Sequence, residues 1–187
     1  MVSLYQAKNS VFTANEIGLL WGWDNLDQLK SSLKYYVDKG NLIRLRRGIY
    51  AKPDYDIREV AVKIYTPSYV SFETALLEEG VIFQFYETVF VASYLGREVV
   101  LKNGQKIQYQ KMKNAVLLNM EGINKKNGYA ISGKERAFLD TIYRSPGYYF
   151  DNLRGIDWEK CFSLVKIYQN KKLEERLKSY YNKYKNQ

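Results

Sequence analysis

The chain has no histidine, one cysteine and three prolines among its 187 residues. Without histidine there is no serine–histidine or cysteine–histidine nucleophile pair, no imidazole general base and no histidine-built metal site. An enzyme made from this sequence works with carboxylates, lysine or tyrosine alone. The lone cysteine, Cys161, excludes an internal disulfide and a cysteine-built zinc site, and nothing points to an oxidising compartment. No apolar run approaches the roughly 18 residues of a membrane-crossing helix, so no membrane partner is expected. Met1 to Asn9 lack the charged start and apolar stretch of a secretory signal, which points to the cytoplasm. Two further absences bear on chemistry. No Asp or Glu is followed two residues later by Lys, and neither a Gly-x-x-x-x-Gly-Lys phosphate loop nor a Gly-x-Gly-x-x-Gly fingerprint is expected. No catalytic residue, metal ligand or cofactor is expected.

What is abundant is positive charge. Twenty-nine Lys and Arg against 20 Asp and Glu leave a net charge of +9, and the usual partner of such an excess is a polyanion, most often nucleic acid. Hydrophobic residues make up 46%, enough for a packed core in one large domain or two small ones.

The stretch from Thr13 to Lys52 reads as a winged helix-turn-helix. Thr13-Ala-Asn-Glu16 has the capping-box pattern, and Ile17, Leu20 and Trp21 follow as one apolar face before Gly22 breaks the helix. Asp24 or Asn25 caps a second helix in which Leu26, Leu29, Leu33, Tyr36 and Val37 recur at helical spacing and are predicted to face inward. Gly40 suits the left-handed position past its end, and Leu42 to Lys52 reads as two short strands around a basic turn. The outward face then carries Asp27, Gln28, Ser31, Lys34, Tyr35 and Asp38. Gln28, Ser31 and Lys34 suit base edges or nearby phosphates, with Tyr35 beside them; Asn25 and Lys30 suit backbone contacts. Any solvated helix face looks similar, and Asp27 and Asp38 repel phosphate. The turn is sharper: Arg44, Arg46 and Arg47 flank Gly48, and alternation sets Leu45 opposite Arg44 and Arg46. Such arginines can clamp phosphate or enter a minor groove, or merely guard an edge strand.

The expected organisation is α+β: a DNA-binding domain over residues 1–53, then a mixed α/β domain over residues 54–187 with an antiparallel sheet and terminal helices. In the second domain Ile57 to Tyr65 and Ser71 to Glu79 read as helices. Glu87 to Tyr94, Arg97 to Lys102 and Lys106 to Gln110 read as strands, with Asn103-Gly104 as a hairpin turn. Ala115 to Met120 and Tyr129 to Ile131 are predicted strands, and Ser132-Gly-Lys-Glu135 a second capping box. Asp157 and Asn170 are placed to cap two final helices, with Trp158, Cys161, Phe162 and Val165 on one stripe and Leu173, Leu177, Tyr181 and Tyr184 on the other. The tyrosine-rich basic tail suits either stacking on RNA bases or roofing a core.

Three stretches together resemble the AbiEi-type antitoxins of bacterial type IV toxin–antitoxin systems. They are Phe12-Thr-Ala-Asn-Glu with the helix and hairpin to Tyr50, Pro67-Ser-Tyr-Val-Ser-Phe-Glu-Thr-Ala-Leu-Leu-Glu-Glu-Gly80, and Gly128-Tyr-Ala-Ile-Ser-Gly-Lys-Glu-Arg-Ala-Phe-Leu-Asp140. The resemblance implies a bifunctional bacterial protein. Its winged helix binds inverted repeats in double-stranded DNA of its own promoter as an autorepressor. Its second domain counteracts a nucleotidyltransferase-like toxin without a stable complex, in abortive infection and phage defence. DNA binding then falls on Gln28, Ser31, Lys34, Arg44, Arg46 and Arg47; Arg136 and Asp140, one helical turn apart, read as a pair. Two other readings stay open: a plain winged-helix regulator with a ligand-sensing or dimerisation domain, and an enzyme using Asp54 and Asp56 as metal ligands.

Overall fold

The structure, a computed structural model, describes residues 1–185 and is α+β. The chain opens with α1 (Val2–Gln6), β1 (Val11–Thr13), α2 (Ala14–Trp21), α3 (Leu26–Asp38), β2 (Ile43–Arg46) and β3 (Ile49–Ala51). Thr13 caps α2 as its pattern predicts: its hydroxyl accepts the Glu16 N–H at 3.2 Å, and Glu16 Oε2 accepts the Thr13 N–H at 2.7 Å. Asn25 caps α3, its Oδ1 accepting the N–H groups of Asp27 and Gln28 at 2.9 and 3.2 Å. Replacing Asn25 with alanine is expected to cost about 1 kcal/mol, lowering the melting temperature by about 2–4 °C in a calorimetric scan.

The two helices approach closely at Gly18, where a Cβ would stand 3.1 Å from Leu29 Cδ2. Leu4, Phe12, Ile17, Leu29, Leu33 and Leu42 form the core beneath them. Two expected core residues lie outside it: Leu26 is 63% exposed and Leu20 43%. Spacing marks a stripe along a helix but not which of its turns are covered, and in α3 burial begins only at Leu29.

Strand β3 is central in a three-stranded antiparallel sheet of order β1-β3-β2. Arg47-Gly48 joins β2 to β3, and Gly48 takes the left-handed φ of 78° that this two-residue turn requires.

After Lys52 the chain forms α4 (Ile57–Ile64), β4 (Ser68–Val70), α5 (Phe72–Glu78), β5 (Val89–Ser93), β6 (Arg97–Val100), β7 (Lys106–Lys111) and α6 (Asn114–Leu117). It closes with β8 (Ile123–Lys126), β9 (Tyr129–Ser132), α7 (Lys134–Arg144), α8 (Trp158–Leu164), a 3-10 turn (Val165–Tyr168) and α9 (Lys171–Lys185). The sheet has order β6-β7-β5-β4-β9-β8. It is mixed, not antiparallel as expected, because β5 pairs with β7 and β4 with β9 in parallel. Residues 115–120 are not a strand. Their core is the short helix α6, which buries Val116 and Leu117.

The predicted capping box at Ser132 does not form. Gly133 occupies the N-cap of α7, and the Ser132 hydroxyl donates to Ser71 Oγ at 3.0 Å. Glu135 instead meets Lys160 at 2.8 Å and accepts the Asp157 N–H at 3.3 Å. Asp157 and Asn170 cap as expected, accepting the N–H groups of Lys160 and Leu173.

The N-terminal elements and the six-stranded sheet share a seam. Val11, Leu45, Ile49 and Ala51 belong to the same buried cluster as Val60, Ala61 and Tyr69. Polar ties reinforce it: Ser10 donates both its N–H and its hydroxyl to Glu59 Oε2, at 2.8 and 2.5 Å, and Lys63 reaches Glu16 Oε1 at 2.7 Å. Burial works to raise the Glu16 carboxyl, but Lys63 and Thr13 together hold it below the usual range.

Among the described residues, no helix is long and apolar enough to cross a membrane.

Candidate nucleic-acid interface

The outer face of α3 is set by its apolar stripe. With Leu29 and Leu33 buried, Gln28, Lys30, Ser31, Lys34 and Tyr35 are exposed, as are Asp27 and Asp38. Gln28 and Ser31 border a shallow depression with Trp23 and Asp27. Trp23 carries no expectation from sequence; it packs its ring 5.1 Å from Trp21 and stays 37% exposed. The signal available for it was the Trp-Gly-Trp run over residues 21–23.

Not every expected contact residue is equally free. Lys30 pairs with Asp27 at 3.1 Å, both well exposed, an ion pair that solvent leaves weak. Lys39 sits 5.9 Å over the Tyr35 ring. The Asn25 carbonyl oxygen is spent on the cap of α3, which leaves its amide N–H groups outward.

The hairpin arginines separate into two kinds. Leu45 is buried at 6% and Arg44, Arg46 and Arg47 are exposed, as alternation predicts. The register slips between Arg44, opposite Tyr50, and Arg46, opposite Ile49. Such a bulge turns a side chain away from the regular pleat. The Arg46 guanidinium lies 5.8 Å over the Tyr65 ring, at the end of α4. The Tyr65 hydroxyl also accepts from Arg97 at 3.3 Å, and hydrogen bonding to Arg46 and Arg97 holds that phenol below its usual value. Arg46 thus ties the hairpin to the second region. Arg44 and Arg47 make no salt bridge and no side-chain hydrogen bond among the described residues.

In the second region the Arg136–Asp140 pair proves to be the centre of a closed polar cluster. Both side chains are fully buried, with Arg136 Nε 3.5 Å from Asp140 Oδ1. The Tyr69 and Ser71 hydroxyls donate to Asp140 Oδ2 at 3.0 and 2.7 Å, and the Tyr168 hydroxyl donates to Oδ1 at 2.6 Å. Arg136 donates to the carbonyls of Val116 and Glu121 at 2.7 and 3.0 Å. One cluster therefore joins β4, the start of α5, α6, α7 and the 3-10 turn. Burial pushes the Asp140 carboxyl up against the opposing pull of Arg136 and the hydroxyls, and pushes Tyr69 and Tyr168 well up. Closed to solvent, these groups hold elements together. Ser71 stands at the N-cap of α5, but with its hydroxyl committed to Asp140 it makes no capping bond.

Asp56, one of the two carboxylates weighed as metal ligands, caps α4 and is gripped by Arg58 at 2.8–3.1 Å; Arg58 also pairs with Glu78. Among the described residues no group of three or more His, Cys, Asp and Glu is arranged to hold a metal ion. Cys161 is fully buried, and burial raises its thiol far above its usual value, which disfavours the reactive thiolate. Residues 128–134 do spell Gly-x-x-x-x-Gly-Lys, but Glu135 follows and the intervening residues are strand β9, so no phosphate-cradling loop exists there.

What this surface can do chemically is present hydrogen-bonding groups from α3 and two free guanidiniums from the hairpin, Arg44 on β2 and Arg47 in its turn. No protein-family model matches the chain, and no curated protein matches it either.

Proposed function

We propose that the N-terminal unit is a winged helix-turn-helix that binds duplex DNA, and that the protein is an autorepressor and antitoxin of the AbiEi type. The observation that carries the DNA reading is the pair Arg44 and Arg47, exposed on the hairpin and without a salt bridge or side-chain hydrogen bond among the described residues. Free guanidiniums lose little on meeting phosphate and bind it in bidentate fashion. The net charge of +9 supports the same reading. In it α3 enters the major groove through Gln28, Ser31 and Lys34, Asn25, Lys30 and Tyr35 flank it, and the hairpin meets backbone or minor groove.

The antitoxin half rests on the three stretches that resemble the family. Its test is paired. Purified protein is titrated with its own promoter and with a scrambled duplex, and the gene is co-expressed with the adjacent toxin gene. Tighter binding to the promoter together with restored growth supports the reading. Promoter binding without rescue leaves a plain regulator.

The seam favours that second reading in one respect. Because Arg46 rests on Tyr65 and Leu45 packs into the larger core, a change in the second region can reach the hairpin. A ligand-sensing or dimerising second domain would use that path.

A further inference from the structure

The loop from Gly147 to Arg154 and one side of α9 enclose a groove of about 960 Å³, built from residues other than those of α3 and the hairpin. Ligand pockets run from about 300 to 1,000 Å³, so this one is large enough for an extended occupant. Its lining brings together Arg154, Arg176, Lys183 and Lys185. Among the described residues that line it, a single carboxylate, Asp151, opposes them, and its Oδ2 already accepts the Phe83 N–H at 2.8 Å.

The floor is fixed. Arg176 donates to the carbonyls of Ile142 and Tyr143 at 2.9 and 3.3 Å, and the Tyr180 hydroxyl donates to the Tyr148 carbonyl at 2.5 Å. Tyr180 packs against Phe138 and Phe150, so it roofs the core. Tyr149 does not: it lines the groove and is 80% exposed. Phe83, tied through its backbone to Asp151, is 68% exposed.

Cations alone would suit any polyanion. Exposed rings among cations suit a strand whose bases are unstacked and can lie on them, because every base has a π face. A duplex keeps its bases stacked inside, and the Asp and Glu side chains of an acidic peptide have no ring to match. We propose that this groove binds single-stranded nucleic acid, with Arg154, Arg176 and Lys183 on the phosphates and Tyr149 beneath a base. This goes beyond duplex binding by the N-terminal unit and does not rest on it.

The test uses the full chain carrying Arg44→Ala and Arg47→Ala, which removes the two free hairpin cations and leaves Arg46 on Tyr65. It is titrated by fluorescence anisotropy with a labelled RNA of about 12 nucleotides, the DNA strand of the same sequence and the matching duplex. The strands are expected to bind at least about tenfold more tightly than the duplex, and Tyr149→Ala to weaken them about tenfold. Arg154→Ala with Lys183→Ala is expected to flatten the salt slope by about 1.4, from about 0.7 for each lost phosphate contact. Tyr149, Arg154 and Lys183 are all exposed, so these variants keep the fold, which circular dichroism checks. Tighter binding of RNA than DNA identifies reading of the 2′-hydroxyl, and equal binding identifies a general strand site; both support the proposal. It is overturned if the groove variants bind strands as the parent does. It is equally overturned if the duplex or polyglutamate competes as well as the strand.

Discussion

Replacing Asp140 with alanine is expected to lower folding stability by about 3–5 kcal/mol, read as a lower urea midpoint at unchanged slope. The carboxylate receives three hydroxyl donors and faces the Arg136 guanidinium, all without solvent contact. Its removal leaves a buried cation held by two carbonyls and Tyr69, and leaves three hydroxyls seeking acceptors. A domain of this size has only about 5–15 kcal/mol to lose, so the variant sits near its unfolding threshold. Removing both charges is the control. Arg136→Met with Asp140→Leu is expected to cost less than either single truncation, because no lone charge remains buried. A cost below about 1 kcal/mol for Asp140→Ala would mean that the cluster is not a keystone.

Gly128→Ala is expected to cost about 2–4 kcal/mol, from two separate causes. Gly128 has φ 80°, a left-handed conformation that an alanine adopts at a cost of roughly 1–2 kcal/mol. A Cβ there would also overlap the buried Glu59 carboxyl and stand 2.7 Å from Glu59 Cγ. Glu59 cannot step aside freely, since its Oε2 holds both polar groups of Ser10 across the seam. Gly104→Ala separates the causes: it has φ 86° and no atom within 4 Å of its Cβ position. Equal losses for the two variants would show that Glu59 yields and that the seam is looser than its hydrogen bonds suggest.

Local chemistry explains why some of this architecture was legible in sequence. Thr13, Asp157 and Asn170 sit directly before their helices, and capping needs only a side-chain oxygen within three residues. Gly40 and the Asn103-Gly104 turn are likewise decided by backbone angles at one position. The parallel pairs were not legible, because Val70 meets Ile131 across a separation that no local pattern records. For the same reason Ser132 looked like a cap: only the fold brings Ser71 to it.

The candidate interface shows the same division. Periodicity gave the outward face of α3 correctly but placed Leu26 inside, because spacing does not record which turns of a helix are covered. Alternation gave the face of the hairpin arginines, whereas the bulge that sends Arg46 to Tyr65 depends on a residue from another element. The groove beside α9 depends on a loop meeting a helix, so Tyr180, Tyr184 and Lys183 read in sequence only as a basic tail, with nothing to join them to Tyr149.

Duplex binding by the hairpin is tested most directly by the salt dependence of promoter binding for the parent and the Arg44→Ala, Arg47→Ala variant. Each phosphate contact contributes about 0.9 to the slope of log affinity against log salt. Two lost contacts are expected to flatten the slope by about 1.8, with weaker binding to promoter and scrambled duplex alike. An unchanged slope and unchanged affinity would contradict the account, since the two free guanidiniums would then not touch DNA.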